Sequence, residues 1–264
     1  MDRRNLLKFS LAVATTAIVT KKLKAANAEL IIGCDTSFMP FEFKQGDTYV
    51  GFDIDLWTEI ANGIGRKWRL QSMDFTGLIP ALQTKNIDAA LACMTIREDR
   101  RRVIDFSDPY YDSGLTALVK KGAGASVRGA GDLNGKRIGA KTGTATIDFL
   151  KSNIKELNLQ QFPNIDNALL ELQAGRVDAV VHNTPNMLYY ATTVGKGIVD
   201  VIEPPLQSGS LAGIGFPKGS DLVAPVNVEL ARIKKDGRYA DIYRKWFSKE
   251  PDSIPPNLTS ATSR

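Results

Sequence analysis

In the run Thr95-Ile96-Arg97-Glu98-Asp99-Arg100, a hydroxyl and a guanidinium follow a short apolar stretch. An Arg presents a rigid fork of N–H donors that matches a carboxylate at two points, and a nearby hydroxyl adds a third bond. Arg97, Arg101 and Arg102 crowd the same stretch, so a solvated basic turn is the plain alternative. Farther on, Lys141-Thr142-Gly143-Thr144 leads from an apolar run into a helical pattern. Backbone N–H groups at such a helix start favour an anion or a carbonyl. It is not a phosphate loop, because the glycine spacing and the terminal Lys-Ser/Thr are absent. Asp35 ends the apolar run Leu30 to Cys34, Phe38 follows it, and Phe75 ends another strand-like run. Two aromatics at strand exits can sandwich an aliphatic stem, although most Phe in such places are core.

Positioning these residues requires short buried strands alternating with helices, and the chain has that pattern. Strands are predicted over 30–34, 68–73, 87–93, 137–141 and 177–182. Helices are predicted over 53–64, 77–84, 144–157, 166–173, 185–193, 221–235 and 239–247. Ile54, Trp57, Ile60, Ala61 and Ile64 give the first helix one apolar face. There is an internal echo: Leu82-Gln83 precedes Ile87-Asp88-Ala89-Ala90-Leu91, and Leu172-Gln173 precedes Val177-Asp178-Ala179-Val180-Val181 at the same spacing. In an open parallel sheet, ligands bind beyond the carboxyl ends of the strands. Here those ends are Ala92 to Thr95 and His182 to Thr184, one set per half of the chain.

The chain has 264 residues, with 34 Lys+Arg against 29 Asp+Glu, and 43% of its residues are hydrophobic. These values exclude a disordered chain and a bundle of membrane spans. A single His and two Cys leave little room for a metal site or a disulfide framework. No metal or cofactor is expected. Residues 1–28 read as an export signal: Asp2-Arg3-Arg4-Asn5 is a charged head, Phe9 to Thr20 an apolar core, and Ala26-Asn27-Ala28 a small-residue cleavage region. Its removal leaves 28 basic and 28 acidic residues, which takes away the main support for nucleic-acid binding. Arg3-Arg4-Asn5-Leu6-Leu7-Lys8 resembles a twin-arginine signal, and a general secretory signal with a chance Arg pair is the alternative. No Cys stands at the expected cleavage point to carry a lipid anchor.

Longer stretches carry a resemblance. Pro40-Phe41-Glu42-Phe43-Lys44-Gln45-Gly46-Asp47, Gly51-Phe52-Asp53, Ile79 to Asn86, Ile104-Asp105-Phe106-Ser107-Asp108, Gln161 to Ala168 and Phe216 to Asp221 resemble the periplasmic glutamine-binding proteins of bacterial ABC importers, within the polar amino-acid substrate-binding family. The resemblance implies an α/β fold of type II, with two lobes, two hinge strands and a cleft. Lobe 1 would be 29–110 plus 211–248, lobe 2 would be 115–207, and 249–264 would be a flexible tail. The crossings would fall near Tyr110 to Gly114 and Ser208 to Ala212.

By the same resemblance, Arg100 and Thr95 take a ligand α-carboxylate, and Phe38 and Phe75 pack on its stem. Asp35 and Lys141 pair with a side-chain amide. Ala92, Ala145 and His182 are further contacts. Two positions depart from the family pattern. Asn183 stands where the family has an Asp to balance the ligand ammonium, and Asn offers no opposing charge. Cys93 replaces a Gly whose carbonyl faces the ligand. The pocket then carries a net charge of +1, which favours either weaker glutamine binding or a more anionic ligand such as glutamate. Cys34 and Cys93 could form a disulfide or remain two buried free thiols, and the thiol reading is the preferred one. The implied partners are a small polar amino acid and a membrane permease, and a monomer in the periplasm is expected. A dehydratase-like enzyme on the same fold is the competing function, with His182 and Asp35 as the candidate acid and base. A structural secreted protein does not explain the charged residues at the strand exits. A receptor ectodomain has no membrane segment after Phe247 in its favour.

Overall fold

The structure is a computed structural model and describes residues 29–258. The expected export signal at 1–28 lies outside the described residues. Strands β1 (Leu30–Cys34), β5 (Trp68–Ser72) and β6 (Ala89–Thr95) run parallel, with β1 in the middle. Strands β9 (Arg137–Lys141), β10 (Asn158–Phe162) and β11 (Ala179–Asn183) form a second parallel set, with β9 in the middle. Two long strands join the sets. β8 (Tyr111–Lys120) pairs antiparallel with β11, and β13 (Gln207–Pro217) pairs antiparallel with β6. β8 and β13 also pair with each other, Ser113 opposite Ser210 and Tyr111 opposite Ala212. Short strands β7 (Ile104–Phe106) and β12 (Val199–Val201) add to β13 and β8. A separate three-stranded sheet comprises β2 (Ser37–Phe38), β3 (Glu42–Gln45) and β4 (Thr48–Val50).

Helices cover both faces of each set. In lobe 1, α1 (Phe52–Gly63) packs with α7 (Val223–Asp236) and α8 (Arg238–Phe247), while α2 (Phe75–Gln83) covers the opposite face. The α1 periodicity buries Ile54, Trp57, Ile60 and Ala61, and Asp53 and Asp55 in its first turn suit the positive end of the helix dipole. Trp57 is fully buried in the lobe 1 core. Gly51, at φ +141°, precedes α1, and a Cβ there would lie 2.0 Å from the Phe41 carbonyl oxygen. Only glycine lets α1 start against that loop. In lobe 2, α4 (Ala145–Asn153) packs on one face, and α5 (Ile165–Ala174) and α6 (Thr184–Thr192) on the other. A short helix α3 (Glu98–Arg101) follows β6. Among the described residues, no helix is long and apolar enough to cross a membrane.

Several elements differ from the sequence expectation. Phe75 does not end a strand: β5 stops at Ser72, and Phe75 opens α2. The helix expected over 144–157 ends at Asn153, and the polar, half-exposed segment Asn158–Phe162 continues as strand β10. The segment expected as a flexible tail lies on lobe 1 as far as Leu258. Lys234 Nζ donates to Pro255 O at 2.9 Å, and the Leu258 N–H donates to Asp108 Oδ1 at 3.1 Å. Cys34 and Cys93 are both buried and free.

Candidate functional site

The carboxyl ends of β1 and β6 face those of β9 and β11 across a small cavity. Lobe 1 lines it with Asp35, Phe38, Phe75, Ala92, Cys93, Thr95 and Arg100; lobe 2 adds Lys141, Ala145, His182 and Asn183. All eleven residues singled out in the sequence thus lie around one cavity. Thr144, read there only as part of a strand-to-helix turn, is a twelfth. Its hydroxyl donates to Lys141 O at 2.8 Å and caps no helical N–H, which leaves the first N–H groups of α4 uncapped by it. The signal was present in the sequence: a Thr at a helix start that follows a buried strand.

Arg100 is 6% exposed and donates to Thr95 O at 3.0 Å and, across the lobes, to Gly143 O at 3.2 Å. Its guanidinium lies 5.4 Å from the Phe75 ring centroid. Burial and neighbouring Arg97 pull it down to about 10, so it stays cationic at neutral pH. Both acceptors are neutral carbonyls, which leaves the guanidinium charge to be met by an anion. Lys141 is 1% exposed and forms an ion pair with Asp35 across the cleft. Burial raises Asp35 despite the lysine, because loss of water costs the carboxylate more than the pairing returns.

His182 is fully buried, and among the described residues neither ring nitrogen has a hydrogen-bond partner. Burial, reinforced by Lys141, lowers it to about 3, so the ring is neutral and offers one donor and one acceptor. Asn183 donates from Nδ2 to Ser113 Oγ at 3.0 Å on the crossing strand β8. Cys93 has φ +39°, a left-handed backbone that favours glycine, and its N–H donates to Asp53 Oδ2 at 3.2 Å. Two further contacts bridge the lobes: Arg97 pairs with Asp148 of α4, and Asn186 Nδ2 donates to Met39 O at 2.5 Å. The lobes are therefore held together around the cavity.

Two α/β lobes with two crossing strands and a cavity between facing strand ends define the type II periplasmic binding protein fold. The family model for bacterial extracellular solute-binding proteins, family 3, matches residues 30–249, and the chain belongs to that family. The chain is 33% identical over 232 residues to the ABC transporter glutamine-binding protein GlnH of Bacillus subtilis, covering 85% of this chain and 83% of that one. The arginine-, lysine-, histidine-binding protein ArtJ of Geobacillus stearothermophilus superposes with a TM-score of 0.81 at 33% identity, over 85% of this chain and 97% of that one. An ancestral arginine-binding protein bound to glutamine superposes with a TM-score of 0.79 at 40% identity, over 84% and 98%.

Proposed function

We propose that the protein is the extracytoplasmic receptor of an amino-acid ABC importer, binding glutamine or a closely related polar amino acid between its lobes and presenting it to a membrane permease. The observation that carries this reading is the pair of opposed cations. Among the described residues, Arg100 on lobe 1 donates to carbonyls alone, and Lys141 on lobe 2 meets Asp35 across the same cavity. A ligand carboxylate satisfies Arg100. A side-chain amide can donate to Asp35 and accept from Lys141, so each end of one molecule is held by a different lobe. Such a ligand favours the closed form over any open one, and that difference is what a permease can read.

The charge balance refines the ligand class. Asp35 and Lys141 offset each other, His182 is neutral, and Arg100 leaves the cavity at +1. Net cationic ligands such as arginine are disfavoured, although several relatives are named for it. With Asn183 in place of a carboxylate, glutamate or a 2-oxo acid amide is the competing class. Catalysis has little support in the site. Among the described residues His182 has no acidic partner to tune it, and Asp35 is held by Lys141. Isothermal calorimetry with glutamine, glutamate, arginine, cystine and 2-oxoglutaramate tests the reading. Glutamine is expected to bind tightest; binding by none of the five would overturn it, and preference for 2-oxoglutaramate would move the ligand to the deaminated class.

A further inference from the structure

Behind the lobe 1 wall of the cavity lies a pair of acids that the ligand contacts do not use. Glu42, from β3, and Asp53, from the first turn of α1, are 0% and 1% exposed, among Phe41, Phe52 and Tyr110. Asp53 Oδ2 accepts the Tyr110 hydroxyl at 2.6 Å and the Cys93 N–H at 3.2 Å. The Asp53 N–H donates to Phe41 O at 2.9 Å, which sets the two acids at neighbouring positions of the backbone. Among the described residues, no protein donor reaches either Glu42 oxygen or Asp53 Oδ1. Two ionised carboxylates at neighbouring positions in so dry a place would repel with no cation to offset them, which favours a proton on one of them. The titratable groups that act on the pair are Cys34 from β1, Asp35 just after it, Cys93 from β6, Tyr110 ahead of β8 and Tyr239 from α8, and none brings positive charge. Burial pushes Asp53 up to about 6 and Glu42 well above its usual value.

The partners of Asp53 give the pair its consequence. Cys93 lines the cavity in a left-handed conformation that costs a side-chain-bearing residue about 1–2 kcal/mol and needs restraint from its surroundings. Tyr110 stands one residue before the crossing strand β8. Its N–H donates to Ala212 O at 2.9 Å, and its carbonyl accepts the Tyr239 hydroxyl at 2.8 Å. Asp53 therefore ties the cavity wall to the start of the hinge.

We propose that Glu42 and Asp53 hold one proton between them and, through Asp53's bonds to Cys93 and Tyr110, position the lobe 1 wall, so that ligand affinity follows the protonation of this pair. Both are positioning residues, since neither lines the cavity. The affinity part rests on the receptor reading above, and the shared proton does not. Loss of the proton forces two buried carboxylates apart and frees the Cys93 N–H. Because the folded protein holds this proton more tightly than the unfolded chain, the pair stabilises the fold most at low pH. That contribution is lost as pH rises from the unfolded carboxyl values through the raised folded ones.

The experiment compares the wild-type protein with Glu42→Gln, whose amide is a permanent neutral donor to Asp53. Infrared difference spectra at neutral pH are expected to show a protonated-carboxyl C=O band in the wild type that Glu42→Gln lacks. Calorimetry with glutamine and with 2-oxoglutaramate from about pH 6 to about pH 9 is expected to show about a tenfold alkaline loss of affinity in the wild type and a flatter profile in the variant. Titration of the ligand and of the cavity groups is common to both proteins, so the ratio isolates the pair. Absence of the band in the wild type, or identical pH profiles, would overturn the proposal. If neither compound binds, the receptor reading fails, and the infrared band alone decides the shared proton. If Glu42→Gln does not fold, the wild-type band decides it likewise.

Discussion

The two halves of the sheet share one local device and differ in what they present to the cleft. In lobe 1, Lys85 follows α2 at φ +58°, and Asp88 then exchanges two bonds with β1: its N–H donates to Ile31 O at 2.8 Å, and its Oδ2 accepts the Ile31 N–H at 2.7 Å. In lobe 2, α5 ends with Gly175 at φ +74°, and Asp178 does the same with Arg137 of β9, at 2.7 Å and 2.8 Å. The Asn86 N–H reaches back to Ala81 O and the Arg176 N–H to Glu171 O, both at 2.9 Å. The echo in sequence is thus a repeated staple that satisfies the start of the central strand in each lobe. At the other end of the same strands the repetition stops. Lobe 1 offers Asp35 and Arg100, and lobe 2 offers Lys141 and neutral His182. Shared geometry builds two equivalent ledges, and unlike side chains on them let one small molecule be gripped differently at each end.

The asymmetry is broken most severely by Lys141→Met. Closing the lobes would then bury Asp35 without a partner, a penalty of about 3–5 kcal/mol, and glutamine affinity should fall by at least about a hundredfold. Asp35 is already raised by burial, and without Lys141 it is raised further. Affinity of the variant should therefore recover as pH falls and Asp35 takes up a proton, by more than the change expected of the wild type. Calorimetry at several pH values reads both effects. Arg100→Ala removes the other grip. It should lower affinity about a hundredfold, with little acid rescue, since the carboxylate left unpaired is the ligand's own α-carboxylate, which stays ionised down to strongly acid pH.

The shared staple is probed by Asp88→Ala and Asp178→Ala. Each strands one strand N–H, and each should cost about 1–3 kcal/mol in denaturant unfolding. Asp178 also pairs with the Arg137 guanidinium at 2.6 Å, but that pair is solvated and adds at most about 1 kcal/mol. Near-equal losses support equivalence of the two units, whereas a neutral Asp88→Ala would deny it. The smallest effects belong to the left-handed positions. Lys85→Gly should stabilise by up to about 1 kcal/mol and Gly175→Ala should destabilise by about as much, both read as shifts in the unfolding midpoint.

Much of this was legible in the sequence where burial was continuous. Leu30–Cys34 and Arg137–Lys141 have the bounds their apolar runs indicate, because a strand covered on both faces has few polar interruptions. Strand β10, Asn158-Leu159-Gln160-Gln161-Phe162, lies at the sheet edge with much of its side-chain surface wet, so hydropathy did not mark it. The small sheet β2–β4 was missed because strands of two to four residues carry no period. Every charged cavity residue was visible as a charge at a strand exit. Thr144 was not singled out as a cavity residue, since a hydroxyl at a helix start reads equally as a cap. The Glu42–Asp53 pair was also out of reach, as it depends on β3 lying against the start of α1.

Solution scattering, with the protein titrated by glutamine and then by the other amino and 2-oxo acids, bears most directly on the central claim. A molecule held at one end by Arg100 and at the other by the Asp35–Lys141 pair should draw the lobes together, and the radius of gyration should fall on saturation. An unchanged radius with every compound would contradict the account.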